Sequence, residues 1–92
     1  MAQDLEKRAL AYKAIDSERE YQEQQEAKHD WQPKKTVGEW IVLLNHYTTE
    51  LNRVWSTSTG DVEALHFVRK IAGIAVHCME ENGAPLRKLE GE

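Results

Sequence analysis

Apolar residues in the N-terminal stretch fall at Leu5, Ala9, Tyr12 and Ile15, close to the period of an α-helix. After Ile15 the chain reads DSEREYQEQQEAKHD, with Tyr21 as its main apolar residue. The composition still suits a helix. A first helix is predicted over about residues 4–27, with a packed front half and a solvated back half. Residues 28–35, KHDWQPKK, form a joint. Pro33 disfavours helix at Gln32, and Trp31 is expected to fold back onto the body of the protein, because an exposed indole leaves a large apolar area in water.

A second helix is predicted over 37–55. Thr36-Val-Gly-Glu39 has the form of a capping box, with Thr36 as N-cap and Glu39 reaching back. Trp40, Leu44, Tyr47, Leu51 and Val54 or Trp55 then make one stripe, widened by Val37, Ile41 and Thr48. His46, Glu50 and Arg53 form a separate row at i, i+4 and i+7. STSTGD (56–61) is the second joint, where Gly60 permits a turn and Ser58, Thr59 or Asp61 is available as N-cap. A connection this short implies an antiparallel hairpin. A third helix is predicted over 62–81, closed by Asn82-Gly83 and blocked from continuing by Pro85. It carries two apolar stripes: Leu65, Val68, Ala72, Ala75 and Met79, and Phe67, Ile71, Ile74 and Cys78. A helix apolar on two sides needs more than one neighbour, and in a chain this short one of them is expected from another protomer. Residues 84–92 read as a frayed tail.

The resulting fold class is all-α: one domain over 1–92, a helical hairpin plus an N-terminal helix, its core completed by assembly into a dimer or tetramer. Ninety-two residues, 40% hydrophobic and 30% charged, fit one small globular domain. A protomer of this size buries a modest share of its surface. The single Cys excludes an internal disulfide and a Cys-based zinc site, and suggests a reducing compartment. No apolar run reaches the ~18 residues of a membrane span, and the start lacks a signal-peptide core. A cytoplasmic location is therefore expected. Net charge is −4, so neither nucleic acid nor anionic membrane attracts the chain in bulk.

The candidate chemistry interrupts the third helix. His66, Lys70, Gly73 and His77 sit at i, i+4, i+7 and i+11 on one face, with Arg69 at its edge. Charged bases in an apolar helix need either solvent or an anion. Gly73 costs about 1 kcal/mol relative to Ala in mid-helix and leaves a gap where a negative group approaches. His46 and Arg53 on the second helix are candidates to face it. The plainer reading stands beside this one: Arg69 and Lys70 solvated or paired with Glu50, Glu63 or acids of the first helix, Gly73 allowing close helix packing, and the histidines satisfied at interfaces. Glu63-x-x-His66 and Glu26-x-x-His29 match a di-iron spacing, but the further inward Glu residues are lacking. No metal or cofactor is expected. Cys78, on an apolar face, reads as core.

The segments GEWIVLLNHYTTELNRVW (38–55) and LHFVRKIAGIAVHCMEENG (65–83) resemble the two motif helices of the MazG-like all-α nucleoside triphosphate pyrophosphohydrolases. SEREYQ (17–22) followed by Trp31 is similar to the lead-in of small bacteriophage-encoded versions. In that family Glu-Glu-x-x-Glu and Glu-x-x-Asp hold magnesium over a triphosphate. Placed on this sequence, the motifs put Asn45, His46 and Thr49 at the first set of acids and Lys70 and Gly73 at the second. Magnesium needs hard anionic oxygen ligands, so the resemblance implies the fold without the metal and without hydrolysis. Lysine presents positive charge to a phosphate directly.

Three readings follow. The first is a non-catalytic binder of a nucleotide or nucleotide-derived signal, by analogy one that counters host defence. It would use Lys70, Arg69, His66, His77, His46 and Arg53, with Trp40, Tyr47 or Trp55 available to stack a base. The second is a helical oligomer that binds a host protein through Ser17–Asp30. The third is a residual magnesium-dependent pyrophosphohydrolase using Glu39, Glu50 and Glu63.

Overall fold

A computed structural model describes residues 2–28, 33–57 and 60–91. Three helices account for the architecture: α1 (Ala2–Ala27), α2 (Val37–Thr57) and α3 (Asp61–Asn82). Each matches a predicted element to within two residues at either end.

The local chemistry sets two of the boundaries. At the start of α2 the backbone N–H of Thr36 donates to Glu39 Oε1 at 2.9 Å, and the Glu39 N–H donates to Thr36 Oγ1 at 3.1 Å. This is the reciprocal capping box expected from the sequence. At the end of α3, Gly83 takes φ 116° and its N–H donates to the Met79 carbonyl at 2.9 Å. That positive φ favours glycine over any residue with a Cβ. Asn82 Nδ2 donates to the carbonyls of Cys78, at 3.1 Å, and Lys35, at 3.3 Å, tying the first joint to this helix end. The α3 N-cap differs from the expectation. It is Gly60, with no side-chain cap, and Asp61 and Glu63 lie in the first turn, where negative charge meets the positive end of the helix dipole. Ser58, Thr59 and Trp31 lie outside the described residues.

α3 is the central element. It packs against both α1 and α2, whereas among the described residues no α-carbon of α1 comes within 8 Å of one in α2. Residues 18, 22 and 26 of α1 meet α3 progressively later along its length, so the two run parallel. α2 runs antiparallel to α3, with Trp40 near His77 and Tyr47 near Lys70. The result is a flat up-down-up layer, 44 × 40 × 23 Å, with a trough on its front face between α1 and α2.

The two α3 stripes separate as their spacing implies. Phe67, Ile71, Ile74 and Cys78 are buried or half-buried on the α2 side, whereas Leu65, Val68 and Met79 are exposed on the back of the layer. The core of a single chain is correspondingly small. Among the described residues, Trp40 at 2% exposure, Ala64 and Ile74 are its only buried apolar residues.

The first helix reverses the expected distribution of burial. Every side chain from residue 4 to residue 14 is exposed, while Glu18 at 6% and Arg19 at 7% exposure are buried in the back half. The reason lies in α3. Its facing side carries cations and a glycine instead of an apolar ridge, so the polar half of α1 docks there by charge pairing. The apolar front half has no partner within the chain.

Candidate functional site

Gly73 fixes the crossing of α1 and α3. A Cβ on Gly73 would lie 2.6 Å from Glu18 Cγ and 3.0 Å from Gln22 Nε2, closer than van der Waals contact permits. The gap seen in the sequence is therefore filled from within the chain, and the approaching negative group is Glu18.

Most of the candidate cations are neutralised the same way. Arg69 Nε donates to Glu18 Oε1 at 2.9 Å. Arg69 Nη1 also lies 2.7 Å from His66 Nδ1. A guanidinium has no acceptor, so in this contact the His66 nitrogen accepts. His77 is held between two helices: Nδ1 lies 3.2 Å from Glu26 Oε1 of α1, and Nε2 3.3 Å from Glu81 Oε2 of α3. Its ring packs on Trp40, with centroids 4.7 Å apart. Arg53 donates to Glu50 within α2, at 3.1 Å from Nε and 2.8 Å from Nη2, on the exposed surface. His46 is exposed, edge-on to Tyr47 at 5.1 Å. It lines a depression with Glu39 and Val42 that adjoins the front trough through Lys35 and Leu43. Neither His46 nor Arg53 reaches the face that carries Lys70.

Lys70 differs from the rest. It is half-buried, its Nζ sits 4.5 Å from the centroid of the Tyr47 ring, and among the described residues no carboxylate comes within ion-pair distance of it. It lines two adjoining concavities. One, of about 340 Å³, is lined by Tyr21, Gln25 and the acids Glu18 and Glu26 of α1, by Trp40 and Tyr47 of α2, and by Ile74 and His77 of α3; Glu18 is held by Arg69 and Glu26 lies against His77. The other, of about 420 Å³, continues past His66, Phe67 and Arg69 to Ser17. Glu18, Tyr21 and Lys70 belong to both, so the two form one trough with Lys70 at its middle. Lys35 also enters it, with Nζ 5.0 Å from the Trp40 ring.

Further polar contacts tie α1 and α2 to α3. Arg19 donates to both carboxylate oxygens of Glu80, from Nε at 3.2 Å and Nη2 at 2.7 Å, and to Gln22 Oε1. The hydrogen bond to Glu80 raises the Arg19 pKa, and the same bond holds the Glu80 carboxyl below the usual range. Glu81 Oε1 accepts from Trp40 Nε1 and from the Lys35 backbone N–H, both at 3.1 Å. Burial pushes the Glu81 carboxyl up, but these donors and His77 outweigh it and leave it lowered. Sequence reasoning missed Glu18, Arg19, Glu26, Glu80 and Glu81. A signal was present, because Glu18, Gln22 and Glu26 recur at i, i+4 and i+8 in step with Arg69, Gly73 and His77.

Among the described residues no three His, Cys, Asp or Glu side chains converge as a metal-holding cluster, and no helix is long and apolar enough to cross a membrane. Comparison with known proteins gives no matching family model, no matching relative and no matching solved structure.

Proposed function

We propose that this chain is a non-catalytic, self-associating binding protein whose front trough takes a nucleotide or nucleotide-derived signal. Lys70 carries the reading. Arg19, Arg53, Arg69 and His77 each face a carboxylate, whereas Lys70 has an aromatic neighbour and open space. A half-buried ammonium without a counter-ion favours an incoming anion, because its charge is only partly hydrated. Tyr21 and Tyr47 along the same trough offer flat apolar surface for a base, while Lys70 meets a phosphate. The expected site residues thereby narrow to Lys70 as the ligand's cation, with Lys35 beside it. Arg69, His66 and His77 shape the trough through their own pairings. The resemblance to phage-type MazG-like proteins extends the proposal to a sequestered defence signal in the cytoplasm of a bacterial host.

Calorimetry in the presence of chelator, with nucleoside monophosphates, triphosphates and cyclic dinucleotides, tests this reading. Binding by at least one class, weakened about tenfold by Lys70→Ala, is expected, in line with loss of a charged contact worth roughly 1.5 kcal/mol. No binding by any of them removes the proposal. Equal binding by Lys70→Ala moves the site elsewhere.

A host protein partner has its own supporting observation. Val37, Ile41 and Trp55 lie along one face of α2 and are exposed. That face stands beside Ser17–Asp30, in which Glu18 and Arg19 are buried against α3 while Ser17, Glu20, Tyr21, Glu23 and Gln24 are exposed. Capture of a host protein lost in Ile41→Glu, and retained in Lys70→Ala, favours this second reading.

A further inference from the structure

The front half of α1 is a helix without a fold to lie on. In the parallel pairing with α3, Ala11 lines the same groove as Val62, one residue from the α3 start at Asp61. Residues 2–10 therefore extend beyond α3 by about 13 Å at 1.5 Å per residue. An isolated helical arm of that length is marginal in water. This one exposes Leu5 and Tyr12, which share a stripe with Ile15 at i, i+7 and i+10. At the root of the arm, on the back of the layer, Ala11, Ala14 and Ile15 face Leu65, Val68 and Ala72 across a mainly apolar groove of about 410 Å³, with His66 and Arg69 at its edge. Leu65, 62% exposed, stands open beside it.

The exposed area indicates how much covering the chain lacks. A compact monomer of 10.6 kDa exposes about 5,500 Å², whereas this chain exposes 7703 Å². Its radius of gyration is 15.4 Å, against about 12 Å for a compact domain of this length. The excess of about 2,200 Å² exceeds the roughly 800 Å² that each partner contributes to a standard interface.

From these observations we infer that a second copy of this chain covers the back face, with the arm of each protomer lying in the Ile15–Leu65–Val68 groove of the other around a two-fold axis. The arm cannot fill its own groove, because it continues straight out of it as one helix. A groove at the root of an arm makes the contact reciprocal: whatever seats one arm seats the other. Leu5 and Tyr12 of one copy then pack over Leu65 and Val68 of its partner. This inference rests on the self-association in the proposed function and adds which face is covered, and by what. The trough on the front face stays open.

Sedimentation of the full chain, without ligand, tests it. A mass of twice 10.6 kDa at tens of micromolar is expected. Leu65→Glu and Leu5→Glu should each weaken the dimer about tenfold or more, since each buries an unpaired charge, while Ile41→Glu on α2 leaves it intact. To separate loss of the interface from loss of the fold in a charged variant, a mixed sample of isotope-labelled and unlabelled unmutated chains supplies a second readout. Intermolecular proton contacts between the Leu5 and Leu65 methyl groups are expected. A monomer, dissociation by Ile41→Glu in place of Leu65→Glu, or a folded oligomer of any size lacking the Leu5–Leu65 contact overturns the inference. A monomer that still binds nucleotide overturns this interface and leaves the trough untouched, whereas a dimer with these contacts that binds none does the reverse.

Discussion

Replacing Gly73 by alanine tests the seat of α1 on α3. In a free helix the change is favourable by about 1 kcal/mol, because glycine costs more backbone entropy. Here the new methyl would lie 2.6 Å from Glu18 Cγ and 3.2 Å from Glu18 Cβ. Neither atom is the mobile end of its side chain, so α1 must move outward by about 1 Å to restore van der Waals contact. Overfilling of this kind costs about 1–3 kcal/mol. The shift also lengthens the 2.9 Å contact between Arg69 and the buried Glu18, and weakening a charged hydrogen bond costs a further 1–3 kcal/mol or so. Set against the gain of about 1 kcal/mol, the balance is a net loss of about 1–5 kcal/mol. For a chain of this size that lowers the Tm by at least about 4 °C. Thermal melts followed by circular dichroism measure it, at one protein concentration because self-association makes the Tm concentration-dependent. Gly38→Ala is the control. A Cβ there lies 3.9 Å from Thr36 Oγ1, an ordinary contact, so its Tm should hold or rise. If Gly73→Ala melts at or above the parent temperature, α1 does not sit at this crossing, and the pairing of Glu18 with Arg69 falls with it.

Acid should loosen the same docking. The Glu80 and Glu81 carboxyls are held below their ordinary value of 4.5, so the stability they contribute is complete above that value and is lost as pH falls through their lower folded values. Hydrogen exchange of α1 amides followed downward from pH 6 should accelerate below about 4.5 beyond what unfolded peptide shows; stability that rises on acidification contradicts this account. Trp40→Ala should cost about 3–5 kcal/mol in denaturant unfolding. Trp40→Phe, which loses mainly the Nε1–H bond to Glu81, should cost about 1 kcal/mol from that bond together with the lost ring area. A Phe variant as unstable as the Ala variant shows that the hydrogen bond, and not the ring, dominates. Thr36→Ala removes half of the capping box and should cost about 1 kcal/mol; an unchanged unfolding midpoint means that α2 begins elsewhere.

Much of the fold is legible along the chain because helix signals are local. Thr36 and Glu39 are three residues apart, and Gly83 closes on Met79 four residues back, so the chain itself holds both partners of each contact. The doubled stripe on α3 likewise requires two neighbours, whatever those neighbours are. What occupies the polar row could not be read in this way. Its partners lie 51 residues away for Glu18 and Arg69 and 61 for Arg19 and Glu80, and only folding brings such groups into register. Spacing could place the cations on one face, but it could not tell an external anion from the chain's own carboxylates. The tertiary structure decided that Arg69 and His77 are spent on α1 and that Lys70 is not. It also decided which half of α1 is covered. Apolar periodicity favoured the front half, yet the surface offered by α3 is charged and notched at Gly73, so the polar half fits it and the apolar half is left for another surface.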